Sequence, residues 1–367
     1  MSDPVKHPLV SIVILNYNGS QFIANCLNSI FESLYNAFEI IFVDNASTDN
    51  SLSIVNSFEK LARNQRLIIV RNSSNLGYAK GNNIGAALAQ GEYLVFLNND
   101  TMVEPSWLQE LVDAVSKDQD VGAAQSKLLV LDRSERVFDS AGDFIDFYCL
   151  AFRRAAGERD FGQYETMEEV FSARGACMLI RHSILKEVGG FDPSFPLEFE
   201  DIDLCWRIRL RGYKVVYVPQ SVVFHKGYST LSYLRKVRRD PQPLLMIKNY
   251  DTSNLLFYLP LYLAVTLGAF VLDILERRNL SLALGRFNAI RWVMLNLRSI
   301  LVKRYVVQQA IRRVPDNRVK RMMLQSSLAL YTRFLVEAHR VMPTPLRLEK
   351  LCEWYFAKTD PYKSKIK

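Results

Sequence analysis

No two cysteines in this 367-residue chain stand close enough to form a C-x-x-C pair. The five that occur (Cys26, Cys149, Cys177, Cys205 and Cys352) are scattered and odd in number. That spacing excludes a zinc ribbon and a disulfide framework, and it suits reduced thiols in a cytosolic setting. Histidine is scarce too, with four in the whole chain. Neither G-x-G-x-x-G nor G-x-x-x-x-G-K-[ST] occurs, so dinucleotide and P-loop readings are poor. Internal repeats and low-complexity tracts are missing as well. The opening stretch MSDPVKHPLVSIVILNYNG carries an apolar run without a basic region or a small-residue cleavage site. It is expected to form a first β-strand and not a signal peptide.

What is present describes a folded α/β protein with an unusual appendage. Hydrophobic residues make up 49% and charged residues 23% of the chain, which fits a globular domain and not a disordered one. The net charge of +8 conceals a split. Residues 1–230 hold 21 Lys and Arg against 29 Asp and Glu, a net of −8; residues 231–367 hold 25 against 9, a net of +16. A basic segment attached to an acidic domain suggests contact with an anionic surface. Of the N-x-S/T sequons in the chain, those at Asn45, Asn72 and Asn99 fall at strand ends where a glycan would block a cleft, which favours an unglycosylated, cytosolic domain.

Over the first 130 residues, apolar runs at 9–15, 39–44, 66–72, 92–98 and 121–130 alternate with helical stretches near 20–33, 48–62, 79–89 and 105–117. Near-continuous apolar strands separated by helices predict a parallel sheet covered on both faces. Ligands bind such sheets at the carboxyl ends of the strands. Here those ends read NYNG, DNASTDNS, RNSSNLGYAKGNN and NND, all small, polar or acidic. Beyond residue 130 the rhythm loosens. Short strands with a hairpin are expected over 137–157, a buried strand running into a helix over 170–185, and an apolar strand pair over 213–227 that ends at His225.

From residue 231 the composition changes. Leu255–Leu272 is an eighteen-residue run without a charge, at the lower edge of the roughly 17–25 residues that span a bilayer. Pro260 would kink it, and Arg277 and Arg278 follow. The helical run 281–305 is interrupted by Arg286, Arg291 and Arg298, which suits a membrane interface better than a span. A helical cap docked on the preceding domain is the alternative.

Single motifs leave alternatives open. Asp100, after a strand, either caps the helix beginning at Pro105 or ligates a cation that holds a diphosphate. Asp44, at the end of the second strand, can accept a hydrogen bond from a base imide or ribose hydroxyl. Gly77 and Gly81 precede a predicted helix, where they let backbone approach a ligand. His225 is either a structural histidine or a metal ligand. FPLEFEDIDLCWRIRLRGY, residues 195–213, sets Glu198, Glu200, Asp201 and Asp203 within six positions. Asp201 and Asp203 open a helix that carries Arg207, Arg209 and Arg211 at its far end and stops at Gly212, as the helix dipole favours. The dipole accounts for Asp203 and Glu198. It leaves adjacent Glu200 and Asp201 unexplained, and a general base is the chemistry that needs a carboxylate there.

SIVILNYNG, VDNASTDNS, NLGYAKGNN, LNND, GGFDPSFPLEFEDIDLCWRIRLRGY and FHKGYS occur in this order. Together they resemble the family 2 glycosyltransferases of GT-A fold, in particular the rhamnosyltransferase-like subgroup, over residues 9 to about 230. The resemblance implies a Rossmann-like, mostly parallel sheet flanked by helices, and the composition beyond it predicts a C-terminal helical, membrane-associating region. The resemblance implies a catalytic domain over 1–230, with a nucleotide-sugar half near 1–130 and an acceptor half near 131–230, while the charge split sets apart a basic region over 231–367. It also implies an inverting displacement, in which an acceptor hydroxyl attacks the anomeric carbon and the nucleoside diphosphate leaves.

Carried over by residue, the resemblance makes Asp201 the catalytic base with Glu200 its neighbour. Asp44 becomes the base-binding aspartate, among donor contacts at Asn16, Asn18, Asn75, Gly77, Lys80, Asn83 and Asn99. Asp100 becomes the last residue of the D-x-D metal motif, with Asn98 in place of its first aspartate and His225 completing the site for Mg²⁺ or Mn²⁺. Arg174 and Gly175 would line the cleft, and Asp192 would support the acceptor side. The expected partners are a dTDP- or UDP-sugar, a lipid-linked or glycan acceptor of cell-envelope polysaccharide synthesis, and an anionic membrane, with no nucleic acid. The expected location is the cytoplasmic face of the membrane, peripheral or through one short segment. A catalytically inactive sugar-nucleotide-binding scaffold is the rival reading. A sugar-phosphate nucleotidyltransferase would need a glycine-rich, basic loop after the first strand, and NYNGSQF does not provide one.

Overall fold

The computed structural model describes residues 7–59, 65–195, 199–227, 241–275 and 280–332. Glu198, Arg277, Arg278 and the stretches 231–240 and 333–367 of the basic region lie outside the described residues.

In chain order the elements are β1 (Val10–Asn16), α1 (Ile23–Phe31), β2 (Phe38–Asp44), α2 (Ser51–Phe58), β3 (Arg66–Arg71), α3 (Gly77–Leu88), β4 (Tyr93–Asn98), β5 (Thr101–Val103), α4 (Trp107–Lys117) and β6 (Val121–Val130). Short strands follow: β7 (Phe138–Ser140), β8 (Asp143–Ile145), β9 (Ala151–Arg153) and β10 (Glu168–Glu169). Then come β11 (Cys177–Arg181), α5 (His182–Val188), α6 (Glu200–Arg211) and β12 (Lys214–His225). Helices α7 (Gln242–Asn249), α8 (Thr252–Leu275), α9 (Leu280–Leu295), α10 (Leu297–Val306) and α11 (Asp316–Lys320) follow among the described residues, with a π-helical turn over Val307–Ile311 after α10.

Ten strands form one mixed sheet, in the order β10-β12-β6-β11-β4-β1-β2-β3 with β5 and β7 attached at its side. The first four strands are mutually parallel, as their apolar runs predict. All seven residues of β2 are buried, because helices cover both faces. One face (Ile12, Ile14, Ile40, Phe42) joins the core with Ile23 and Leu27 of α1, Val55 of α2 and Trp107 and Leu111 of α4. The other face receives α3, whose Gly81 and Gly85 stand where a Cβ would run into Leu15 and Val13. Gly81 therefore lies inside the helix and serves sheet packing, which corrects its reading as a backbone approach to ligand.

β11 runs antiparallel between β4 and β6, and β6 is parallel to β12. The expected strand pair over 213–227 is a single strand. A register shift between Val218 and Val222 lets β12 pass Pro219, since proline cannot donate to the ladder and is tolerated at such irregularities.

Packing divides the chain into two compact units. The first comprises Met1–Gly142, Ala155–Ile208 and Tyr213–Ser229, and it holds the ten-stranded sheet. The second comprises Asp143–Arg154, Arg209–Gly212 and Thr230–Lys367. Within the second, the β8–β9 hairpin meets the helices through Tyr250 Oη, which donates to Phe147 O at 2.8 Å, and through Ser326 Oγ, which donates to Asp146 at 3.1 Å. The last carbonyls of α7 are satisfied by side chains: Arg304 donates to Ile247 O and Tyr250 O, and Gln308 donates to Lys248 O. Cations suit a helix C-terminus.

Helix α8 has 24 residues and an 18-residue window of mean hydropathy 2.2, of which 24% is buried. Among the described residues it is the one helix long and apolar enough to cross a membrane, by length and composition only. Leu256, Phe257, Leu267 and Leu275 of α8 are exposed, as are Phe287 and Met294 of α9 and Leu301, Val302 and Tyr305 of α10. The charged run 281–305 is helical as expected, but broken at Asn296 into α9 and α10.

Candidate active site

At the carboxyl ends of β1 and β2 the polar loops are tied to one another. Asn16 is buried and donates from Nδ2 to Ser47 Oγ at 3.0 Å and to Asp44 Oδ1 at 3.4 Å. Its own Oδ1 accepts from Asn99 Nδ2 at 2.6 Å. Asp44 Oδ2 accepts the Ser47 N–H, and Asn18, at φ 51°, donates its N–H to Ser47 Oγ and accepts the Thr48 N–H. Asp49 accepts from the Ser51 hydroxyl and from the Ser20 and Ser51 N–H groups. Burial opposes ionisation of Asp49, but these bonds win and bring its pKa down to about 2. A rim built this way is organised before any ligand arrives.

Asn45, absent from the expected donor contacts, joins the next loop to this rim. Its Nδ2 donates to Asn75 Oδ1 and Gly77 O, and its Oδ1 accepts from Asn72 Nδ2 and the Leu76 N–H. Asn75 and Gly77 are thus placed beside Asp44, while Lys80 is exposed on α3. Asn83 faces elsewhere. Its amide grips the backbone of Phe191 in both directions, at 2.8 and 2.9 Å. It anchors the segment before Asp192, whose carboxylate accepts the Ser194 N–H at 3.0 Å. Its geometry is that of a brace and does not reach the rim.

The end of β4 carries the acidic cluster. Asp100 is buried, and its Oδ1 lies 3.3 Å from His225 Nε2. Asn98 Nδ2 lies 3.2 Å from the same nitrogen. The strand pairing makes this meeting unavoidable, because β12 delivers His225 opposite Thr101 of β5. The first turn of α4 has no side-chain cap from its N-cap residue Ser106, and the Asp100 carboxyl turns to His225, so Asp100 is not the helix cap.

The other ring nitrogen, Nδ1, sits 2.9 Å from Oδ2 of Asp139 on β7. Burial alone would lower the His225 pKa, but the two carboxylates raise it to about 9. Asp100 is held below the usual carboxylate range by the same histidine, against its own burial. A divalent cation at Nε2 would displace the proton that this ion pair favours, because only an unprotonated ring nitrogen ligates.

These groups can be tested against a divalent cation. A carboxylate, an imidazole and an amide converge, and the 3.3 Å between Asp100 Oδ1 and His225 Nε2 is close to the roughly 3 Å between neighbouring ligands on one octahedral ion. Among the described residues no group of three or more His, Cys, Asp or Glu is arranged to hold a metal. The residues fit an ion whose shell is completed by diphosphate oxygens, not a self-sufficient cage.

The carboxylate pair opens α6. Asp201 Oδ2 accepts the Gly175 N–H at 3.1 Å and Oδ1 the Ile202 N–H at 2.8 Å, while Glu200 Oε2 accepts the Phe199 N–H. Gly175 O accepts from Tyr78 Oη at 2.8 Å, and a Cβ at Gly175 would run into that hydroxyl. The N–H and the carbonyl of Gly175 are therefore both held, the first by Asp201 and the second by Tyr78 of α3. Burial, then the charges of Glu200 and Asp201, push the Tyr78 pKa well above its usual value. Tyr78 was hidden in NLGYAKGNN, where nothing local marks it. Arg174 N donates to Gln125 Oε1, and the next carbonyl but one, Ala176 O, accepts the Asn98 N–H. The Arg174–Ala176 segment thus links the carboxylate pair to the end of β4.

Asp203 goes the other way. It is fully buried and pairs with Arg207 at 2.8 Å, and Arg207 also donates to Val188 O, Gly189 O and Gly190 O. Asp203 stands in the first turn of α6, as the dipole reading expects, and the ion pair to Arg207 adds to it. The four described cysteines are buried thiols, and burial pushes Cys26 and Cys177 up to about 12, which makes those two poor nucleophiles.

The model of the family described as "Glycosyl transferase family 2" matches residues 11–189. Glycosyltransferase GlyG of Streptococcus pneumoniae is 32% identical over 234 residues, which cover 60% of this chain and 71% of that protein. The O-antigen biosynthesis protein RfbC of Myxococcus xanthus is 30% identical over 227 residues, 59% of this chain and 17% of RfbC. The matched region spans 24%, 17% and 39% of the lengths of three relatives, so these are much longer proteins than the part they share. Among solved structures, GalNAc-T7 with UDP, GalNAc and Mn²⁺ superposes with a TM-score of 0.52 at 20% identity, over 67% of this chain and 51% of that one. S. aureus TarS 1–349 with UDP gives 0.51 at 16% identity, over 95% and 91%. At such identities the likeness establishes the GT-A fold.

Proposed function

Because this chain belongs to glycosyl transferase family 2, we propose that it moves a sugar from a nucleoside diphosphate to an acceptor hydroxyl with inversion at the anomeric carbon. The observation that carries this reading is the linkage of Asp201, through the clamped Gly175 peptide, to the strand end that bears Asn98 and Asp100. The acceptor oxygen attacks the anomeric carbon, the bond from that carbon to the diphosphate oxygen breaks, and Asp201 takes the hydroxyl proton. Glu200 supports it, and Arg174, Gly175 and Asp192 shape the acceptor side. Asn16, Asn18, Asp44, Asn75, Gly77, Lys80 and Asn99 receive the nucleotide, for which UDP and dTDP are the candidates and rhamnose or another hexose the sugar. Asp100, Asn98 and His225 would hold Mg²⁺ or Mn²⁺, which when bound stabilises charge on the leaving diphosphate. Neighbours of the same fold have been solved with Mn²⁺ and with UDP. Screening nucleotide-sugars for cation-dependent hydrolysis and transfer tests the reading; donor binding without any turnover would favour an inactive scaffold.

The cation and nucleotide should bind as a unit. Calorimetry is expected to show weak Mn²⁺ binding to the protein alone and much tighter binding with UDP or dTDP. Tight binding to the free protein, untouched by Asp100→Ala and His225→Ala, would discard this site.

Residues 1–230 then form the catalytic domain and 231–367 a basic, membrane-associated region on the cytoplasmic face that keeps the cleft near a lipid-linked or polysaccharide acceptor. The exposed apolar residues of α8, α9 and α10 support this, together with exposed Arg291 and Arg298 among them. Each basic residue near an anionic leaflet is worth about 1 kcal/mol and is screened by salt. Full-length protein should co-sediment with phosphatidylserine vesicles and be partly released by high salt if it lies in the interface, or only by detergent if α8 spans. Protein that is monodisperse without detergent and indifferent to those vesicles would reject membrane attachment.

A further inference from the structure

Asp139 has no place in the chemistry described so far, yet it is buried against a residue that does. β7 places it beside β6, pairing Leu128 with Ser140 and Leu129 with Phe138, while β12 sets His225 opposite Val130 of the same β6 strand. The end of β6 binds both neighbours, since the Val130 N–H donates to Val137 O and the Leu131 N–H to His225 O. The Asp139 carboxylate and the His225 ring are therefore fixed by backbone, not by flexible loops, and both are more than nine-tenths buried. Gly227, at φ 64°, lets the chain turn tightly over them; a Cβ there would come within 3.3 Å of His225 Nδ1.

An imidazole without a partner at Nδ1 can rotate by half a turn and offer carbon where nitrogen is wanted. The Asp139 bond at Nδ1 prevents this and leaves Nε2 towards Asp100 and Asn98. Histidines that ligate metals are oriented in this way by a carboxylate on the far nitrogen. We propose that Asp139 is a positioning residue for the donor site, holding His225 with Nε2 aimed at the Asp100–Asn98 end of β4 and thereby setting the affinity for a divalent cation there. The inference rests on the cation role proposed for His225.

The test is a double-mutant cycle on the full-length chain, with Mn²⁺ titrated calorimetrically in saturating UDP and folding followed by circular dichroism. Asp139→Ala should weaken Mn²⁺ binding about 10–100-fold, whereas Asp139→Asn, whose Oδ1 can still accept from Nδ1–H, should stay within about threefold of wild type. In a His225→Ala background, Asp139→Ala should cost nothing further. If Asp139→Ala does not fold, Asp139→Ser takes its place in the cycle. Mn²⁺ binding that depends on His225 but not on Asp139 overturns this inference alone. So does an Asp139→Asn loss as large as that of alanine, or an undiminished effect in the His225→Ala background. Wild-type binding that His225→Ala leaves unchanged removes the proposed cation site, and the inference with it.

Discussion

Asp201→Asn is expected to lower turnover by about 10²–10⁴-fold, the usual contribution of a general base, while nucleotide-sugar affinity changes little. The substitution keeps the size of the side chain but removes its capacity to take a proton. It also has a structural cost. Asp201 accepts the Gly175 and Ile202 N–H groups on two different oxygens, and an amide offers only one. One N–H then faces an NH₂ group, at about 1–3 kcal/mol. Turnover must therefore be compared with a melting curve and with donor binding by the same variant. Glu200→Gln is the control: Glu200 accepts the neighbouring Phe199 N–H through Oε2, and glutamine keeps an oxygen for that bond. If Glu200→Gln abolishes transfer and Asp201→Asn leaves it near wild type, the two carboxylates exchange roles.

Asp203→Ala should be the most damaging change to stability near the site, at about 3–5 kcal/mol, because removing one member of a buried pair strands the other. The Arg207 guanidinium would remain buried, held only by the carbonyls of Val188, Gly189 and Gly190. Those carbonyls end α5 and lead directly to Phe191 and Asp192, so the acceptor side should loosen with the fold. Urea denaturation of wild type and variant measures the loss. A difference below about 1 kcal/mol would mean that the helix-end carbonyls suffice for Arg207 and that Asp203 is dispensable.

The layout of this protein is readable because its strands are buried on both sides. Ile12 and Val13 face opposite helices, so β1 is apolar without alternation, and the same holds for β2 and β4. The strand ends are readable too, since polar and acidic residues interrupt those runs at Asn16, Asp44 and Asn98. The stop of α6 was marked by Gly212, which adopts φ 108°, a conformation that other residues resist. Pro219 misled the reading of β12 because a proline between two apolar runs has the local signature of a turn. Only the neighbouring β6 shows it to be an irregularity within one strand.

Roles of side chains were less accessible, for a reason of distance along the chain. Asp139 meets His225 across 86 residues, Tyr78 meets Gly175 across 97, and Asn83 meets Phe191 across 108. Local pattern reports on hydrogen-bond period and on which face is apolar, because those depend on residues within a turn or two. It holds no record of which carboxylate ends beside which ring. So Asp100 and the Glu200–Asp201 pair stood out as unexplained charge at element ends. That Asp203 is spent on Arg207, Asn83 on a backbone and Asp139 on a histidine followed only once the sheet had brought distant segments into register.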